Sequence, residues 1–179
     1  MVSVSLCMIV KNEEDVLERC LESVADLVDE IIIVDTGSAD RTKEIAARFT
    51  SQIFDFPWQD DFSAARNESF SHAAKDYCMW LDADDVLLEE DRKAFLALKE
   101  MLNPAVSVVM APYHTGFDEN GHVTFSYYRE RLIKNHIGMR WTGAVHEVIT
   151  PAGKILHADF AVTHHKTRPS DPDRNLRMY

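Results

Sequence analysis

Long apolar runs are missing from this sequence: nothing in it approaches the ~20 consecutive apolar residues of a membrane-spanning helix. The opening MVSVSLCMIV is apolar, but it lacks the basic stretch and small-residue cleavage site of a secretory leader, so it reads as a first strand. Cysteine is scarce. Cys7, Cys20 and Cys78 are odd in number, far apart and set in apolar surroundings, which argues against a disulfide framework and suits free, buried thiols of a reducing compartment, the cytosol. Positive charge is in deficit, with 19 Lys and Arg against 30 Asp and Glu and a formal net charge of -11. That sign excludes nucleic acid as a partner held mainly through its phosphates. An anionic small substrate stays compatible, because local cations or a bound metal act within a Debye length of ~8–10 Å whatever the total charge. No basic amphipathic helix marks a membrane surface, although an acceptor substrate at the inner face of a membrane leaves peripheral association open. Glycine is sparse too. The turn after the first apolar run, VKNEED, contains none, so the G-x-G-x-x-G that lets a backbone approach a dinucleotide pyrophosphate is absent.

What is present fits one domain over residues 1–179, long enough for a single well-buried core. The first strand, 4–10, leads into KNEEDVLERCLESV, where Val16, Leu17, Cys20, Leu21 and Val24 recur at helical spacing and Asn12 with the acidic trio caps the start. EIIIVDTGSADRTKEIAARF repeats the plan, with a continuous apolar run at 31–34 and then a helix burying Ile45, Ala46 and Phe49. SQIFDF supplies a third strand, SAARNESFSHAAK a helix, and YCMWL a fourth strand. Apolar strands alternating with helices predict a mostly parallel sheet covered on both faces. The helix LLEEDRKAFLALKEML carries Phe95, Leu98, Met101 and Leu102 as its buried stripe. Strand-like runs then follow at 106–111, 123–128, 131–133 and 154–162, which predicts a mixed or antiparallel second half. The closing KTRPSDPDRNLRMY is polar and stops without a terminating feature, the mark of a truncated end or a domain border.

The fourth strand runs straight into LDADD. Close carboxylates repel one another and lose hydration beside a buried strand, so packing alone gives no reason for Asp82, Asp84 and Asp85 to stand together. Either they form an acidic turn before the next helix, or a cation belongs there. Asp35 closes the second strand in the same way. In open α/β sheets ligands gather outside the carboxyl ends of the strands, and two acidic strand ends on one rim favour a ligand site.

WLDADDVLL on its own resembles the Asp-x-Asp opening of haloacid-dehalogenase phosphatases, but that family places the motif on its first strand and follows it with a second Asp pair, which this chain lacks. SLCMIVKNEE, IIIVDTGSADRT, DFSAARNES, LDADD and MRWTGAVHE, in that order, resemble the family 2 glycosyltransferases of GT-A fold, in a bacterial subgroup whose members often carry helical repeats beyond the catalytic domain. The resemblance implies a metal-dependent, inverting transfer of a sugar from a nucleotide-diphosphate donor, UDP by preference, to a glycan, lipid-linked or peptide acceptor. It implies Mg²⁺ or Mn²⁺, hard cations suited to carboxylates. Asp84 becomes the direct metal ligand and Asp82 a ligand through water or a ribose contact, while Asp85 either helps or caps the following helix. Asp35 matches the base-recognising aspartate, with Lys11 and Asn12 along the same nucleotide and Arg66 on base or phosphate. Glu147 is the general base, with Trp141 walling the acceptor pocket and His146 beside it. Of His164 and His165, which strand alternation points apart, one completes the metal set; His164 is taken here. Lys166 and Arg168 then reach the diphosphate. A nucleotide-sugar binding protein without catalysis is the remaining alternative.

Overall fold

In the computed structural model, which describes residues 1–165, four parallel strands make the first half of a single sheet. They are β1 (Val4–Val10), β2 (Glu30–Asp35), β3 (Ile53–Asp55) and β4 (Tyr77–Trp80), in the spatial order β3-β2-β1-β4. β1 runs in register with β2 from Ser5↔Glu30 to Val10↔Asp35, and with β4 from Val4↔Tyr77 to Cys7↔Trp80. Their carboxyl ends therefore share one rim.

The helices are α1 (Leu17–Glu22), α2 (Thr42–Ala46), α3 (Phe62–Ser71) and α4 (Glu89–Met101). Alternate residues of a continuously apolar strand serve opposite faces. Val4, Leu6, Met8 and Val10 of β1 pack with Leu17, Cys20 and Leu21 of α1, Ile45 and Ala46 of α2 and Phe95 of α4. Cys7 points the other way, toward Ile32, Cys78 and Phe70 of α3. The three thiols are buried and free. Burial pushes those of Cys7 and Cys20 well up, away from the range of reactive thiolates. No helix among the described residues is long and apolar enough to cross a membrane.

The second half turns antiparallel. β7 (Val123–Lys134) pairs antiparallel with β4 and with β6 (Val108–Phe117). β6 takes β8 (Ile155–His157) and β9 (Val162–His164) in parallel, and β9 pairs antiparallel with the two-residue β5 (Asp85–Val86).

Several sequence expectations need correcting. The runs at 123–128 and 131–133 are one strand. Arg129 and Glu130 do not interrupt it, because the Arg129 guanidinium lies over the Trp80 ring at 4.9 Å and pairs with Glu130 at 3.2 Å. The run at 154–162 is two strands instead of one. Between them the chain drops Phe160 onto Phe95, ring centroids 5.2 Å apart, and the Ala161 N–H donates to Asp91. α1 is shorter than its periodicity suggested and has no side-chain cap; Asn12, with φ of 55°, accepts instead from the Ala39 N–H. Met101 leaves the buried stripe of α4 at 84% exposed, because it closes the helix on its outer side.

Two substitutions on α4 test this assignment by urea denaturation. Phe95→Ala, in a fully buried ring pair, is expected to cost ~3–5 kcal/mol. Met101→Ser should stay within ~0.5 kcal/mol.

Candidate active site

The three aspartates after β4 are not equivalent. Asp85 folds the turn back on itself: its N–H donates to the Asp82 carbonyl and its Oδ2 accepts from the Asp82 N–H, both at 3.0 Å. Its side chain is fully buried and accepts from the Tyr113 hydroxyl at 2.8 Å and from Arg131 Nη1 at 3.4 Å. The Arg131 guanidinium is itself clasped between Trp80 and Tyr113, 4.0 and 4.3 Å from the two ring centroids. Capping was the other role read for Asp85, and the structure removes it, since α4 begins after Leu88 with no side-chain cap.

Pairing of β5 with β9 sets Asp85 opposite His164. His164 Nδ1 then lies 3.4 Å from Asp84 Oδ1, 3.3 Å from Asp85 Oδ1 and 3.0 Å from the Tyr113 hydroxyl. His165 turns away, as alternation requires, with its Nδ1 2.9 Å from Arg19. Asp84, Asp85 and His164 offer ligand atoms within 4.8 Å of one another. Asp85 thus stands in this group where Asp82 was expected. Asp84 and His164 keep part of their surface open, and two carboxylates with an imidazole suit a hard divalent cation such as Mg²⁺ or Mn²⁺.

The electrostatics fit that picture. Burial, aided by Asp85 and Asp82, pushes the Asp84 carboxyl up against the pull of His164. The hydrogen bond to Asp85, with the charge of Asp84, raises the His164 imidazole against burial. Burial and then Asp85 push the Tyr113 phenol far up, so it stays a neutral donor.

Beside this cluster lies a second one. Arg66 of α3 is buried at 5% exposure. Its Nη2 donates to Asp82 Oδ1 at 2.8 Å and its Nε to Glu147 Oε1 at 2.7 Å. The guanidinium expected on base or phosphate is thus engaged by two carboxylates. Against burial in each case, the Arg66 charge holds Asp82 below its ordinary range, while Asp82 and Glu147 hold Arg66 above its own. Trp141 is not an open wall for an acceptor. It is 2% exposed, meets Trp80 edge to face at 5.1 Å and lies 5.0 Å from the Arg66 guanidinium. His146 is exposed with φ of 58°, and Glu147 retains 15% of its side-chain surface.

On the neighbouring strand ends, Asp35 is 2% exposed. Its Oδ1 accepts from the N–H groups of Gly37 and Ser38, both at 2.9 Å, while its buried Oδ2 has no partner among the described residues. Lys11 is exposed at the end of β1, and the Asn12 N–H donates to Ser38, tying the two rim loops together. Lys166 and Arg168 lie outside the described residues. Reasoning from sequence missed Tyr113 and Arg131 altogether. The one signal for Arg131 was a charged residue inside an apolar strand run, YRERLI.

Comparison with known proteins assigns this mixed α/β sheet with its acidic rim to the glycosyltransferases. The sequence profile "Glycosyl transferase family 2" matches residues 5–161, and the chain belongs to that family. A TPR repeat-containing protein of Synechococcus elongatus is 39% identical over 149 residues, covering 83% of this chain and 36% of its own length. The prophage-derived glycosyltransferase SunS of Bacillus subtilis is 30% identical over 149 residues, covering 78% of this chain and 33% of its own. The chain thus spans about a third of the curated relatives it matches. Among solved structures, glucosyl-3-phosphoglycerate synthase of Mycobacterium tuberculosis, in complex with Mg²⁺ and UDP, superposes with a TM-score of 0.52 at 20% identity, covering 63% of this chain and 44% of its own. TarS of S. aureus gives 0.54 at 20% identity, covering 69% and 23%. The fold is the GT-A fold of these transferases. Neither the phosphatase nor the binding-only alternative finds support in these matches.

Two predictions follow from the asymmetry of the cluster. Asp85→Ala leaves Arg131 as an unpaired buried charge and is expected to cost ~3–5 kcal/mol in urea denaturation, against under ~1 kcal/mol for the half-open Asp84→Ala. In metal-free protein His164 has a folded value raised above the ordinary 6.5. Its contribution is therefore complete below that value and lost as pH rises through the raised one. The melting temperature should fall across this window, and His164→Gln should remove that part of the slope.

Proposed function

We propose that this chain carries the catalytic domain of an inverting glycosyltransferase. It moves a sugar from a nucleoside-diphosphate donor, by preference a UDP-sugar, to a hydroxyl of a glycan, lipid-linked or peptide acceptor. The observation that carries the reading is the pair of adjoining clusters on one sheet rim: Asp84, Asp85 and His164 within ligand distance of one another, and Glu147 joined to Asp82 through Arg66.

Asp84 and His164 would hold Mg²⁺ or Mn²⁺, with Asp85 orienting the imidazole. A divalent cation bound there supplies neutralisation of the charge that develops on a departing diphosphate, with no proton transfer. The free Oδ2 of Asp35 suits the imide N–H of a uracil, and its two backbone donors hold the carboxylate in place for that contact. Lys11 and Asn12 flank that position on the next strand end. Asp82 faces the ribose or a water of the cation. Glu147 takes the proton of the acceptor hydroxyl as its oxygen attacks the anomeric carbon. The bond to the diphosphate breaks on the opposite side, its electron pair leaving with the phosphate oxygen, and the configuration inverts. Support comes from the synthase neighbour, solved also with Mn²⁺ and UDP-glucose. The acceptor is proposed to be reached in the cytoplasm or at the inner face of a membrane.

Calorimetric titration tests the donor half. UDP with Mn²⁺ is expected to bind, and Asp84→Ala to weaken it at least ~10-fold, about 1.4 kcal/mol; unchanged affinity would remove Asp84 from the site. For the acceptor half, Glu147→Gln should keep UDP affinity while UDP release from a panel of UDP-sugars drops at least ~10²-fold.

A further inference from the structure

The loop that carries Glu147 has little of its own to hold it in place. Between Trp141 and Ile149 its internal tie is the Thr142↔Val148 bridge. Trp141 and Ile149 at its ends pack on Trp80 and Ile133, and its other hydrogen-bonded anchors come from one stretch of α3. The Phe62 N–H donates to the Ala144 carbonyl at 2.9 Å. The Asn67 side-chain amide both donates to and accepts from the Trp141 backbone, at 2.9 Å in each direction. Arg66 Nε reaches Glu147 itself. Phe62, Arg66 and Asn67 stand at i, i+4 and i+5, so a single side of the helix serves the whole loop.

Arg66 has a second duty as well. Its Nη2 grips Asp82 on the turn after β4, and its guanidinium carbon lies 4.6 Å from the Trp80 ring centroid and 5.0 Å from that of Trp141. A guanidinium is a rigid fork whose N–H groups point in fixed directions. Bonded through Nε and Nη2 and lying over two indoles, it fixes the separation of the two carboxylates it joins. Resting on the reading of Glu147 as general base, we propose that Arg66 is a positioning residue. It splints Glu147, on the acceptor side, to Asp82, on the donor side, and does not itself bind the nucleotide. Lysine cannot replace it, because one ammonium on a flexible stem holds neither the spacing nor the plane.

Hydrogen-exchange mass spectrometry of the segment 141–149, combined with UDP–Mn²⁺ calorimetry, separates this role from substrate contact. Arg66→Gln, Arg66→Lys and Glu147→Ala should each speed exchange across 142–149 by about tenfold, and the double variant Arg66→Gln/Glu147→Ala by no more than either single change, since all break one connection. UDP–Mn²⁺ affinity in Arg66→Gln should fall less than about threefold. Unchanged exchange in Arg66→Gln and Glu147→Ala would overturn the proposal. So would a loss of UDP affinity beyond about tenfold in Arg66→Gln that Glu147→Ala does not share. Should Arg66→Gln fail to fold, Glu147→Ala severs the same link from the partly open side and decides the exchange arm alone. Absence of UDP binding in the unmodified protein would sink the glycosyltransferase reading and leave the exchange result to judge the splint.

Discussion

The site depends on a buried ion pair, Asp85 with Arg131, both fully inaccessible and 3.4 Å apart. At that distance the gross attraction is about 5 kcal/mol for an effective dielectric constant near 20, while removing the two charges from water costs several kcal/mol each. The pair therefore adds little net stability; its value is positional. Asp85 neutralised in this way can close the turn with its own backbone and carboxylate. The turn then presents Asp82 and Asp84 outward, where three bare aspartates would have repelled one another and opened it. Arg131 leaves Nε and Nη2 without a hydrogen-bond partner among the described residues, a cost that the faces of Trp80 and Tyr113 partly offset as desolvated cation–π partners.

Trp80 is the hub of the arrangement. Arg66, Arg129 and Arg131 all lie within 4.9 Å of its ring centroid, and each is paired with a carboxylate: Asp82 and Glu147, Glu130, and Asp85 in turn. An acidic chain thereby concentrates its scarce cations around one indole, behind the carboxylates of the rim. This is the sense in which net charge misleads. The total of -11 describes the solvated surface, whereas the site is governed by charges within a few ångströms that water does not screen.

The parallel half was legible because its signals are local. Continuous apolar runs at 4–10 and 31–34 can only be strands buried on both faces, and an aspartate at the end of such a strand must stand on the rim. Asp35 and the LDADD turn followed from that alone. Arg131 and Tyr113 were hidden for the opposite reason: their meaning lies in partners 46 and 28 residues away, and neither spacing is a motif. Arg66 was matched to base or phosphate by resemblance alone, and its helix, which has no clear apolar stripe, gave no sign of its burial; that comes from Trp80 and Trp141, which reach it from β4 and from a loop. Met101 failed the other way. Helical spacing placed it on the stripe, but at the end of α4 no element is left for it to pack against.

The division of the sheet explains why the two clusters need both halves. The parallel strands place Asp35, Asp82 and Asp84 at fixed heights on the rim, but a parallel sheet alone returns no later residue to face them. The antiparallel half does so through β9, whose two-residue pairing with β5 is short enough to slip. A shift of one residue would turn the His164 imidazole to the other face and leave Thr163 or His165 opposite Asp85. Pairing of β9 with β6 resists such a shift, and a further restraint lies just beyond the strand. The His165 N–H donates to the Asp84 carbonyl at 2.8 Å, and Arg19 of α1 holds the His165 ring and carbonyl at 2.9 and 3.0 Å. The histidine that faces away from the carboxylates thus helps to fix the register of the one that faces them, and the doublet acts as a unit, one imidazole toward the cluster and its neighbour as a pin.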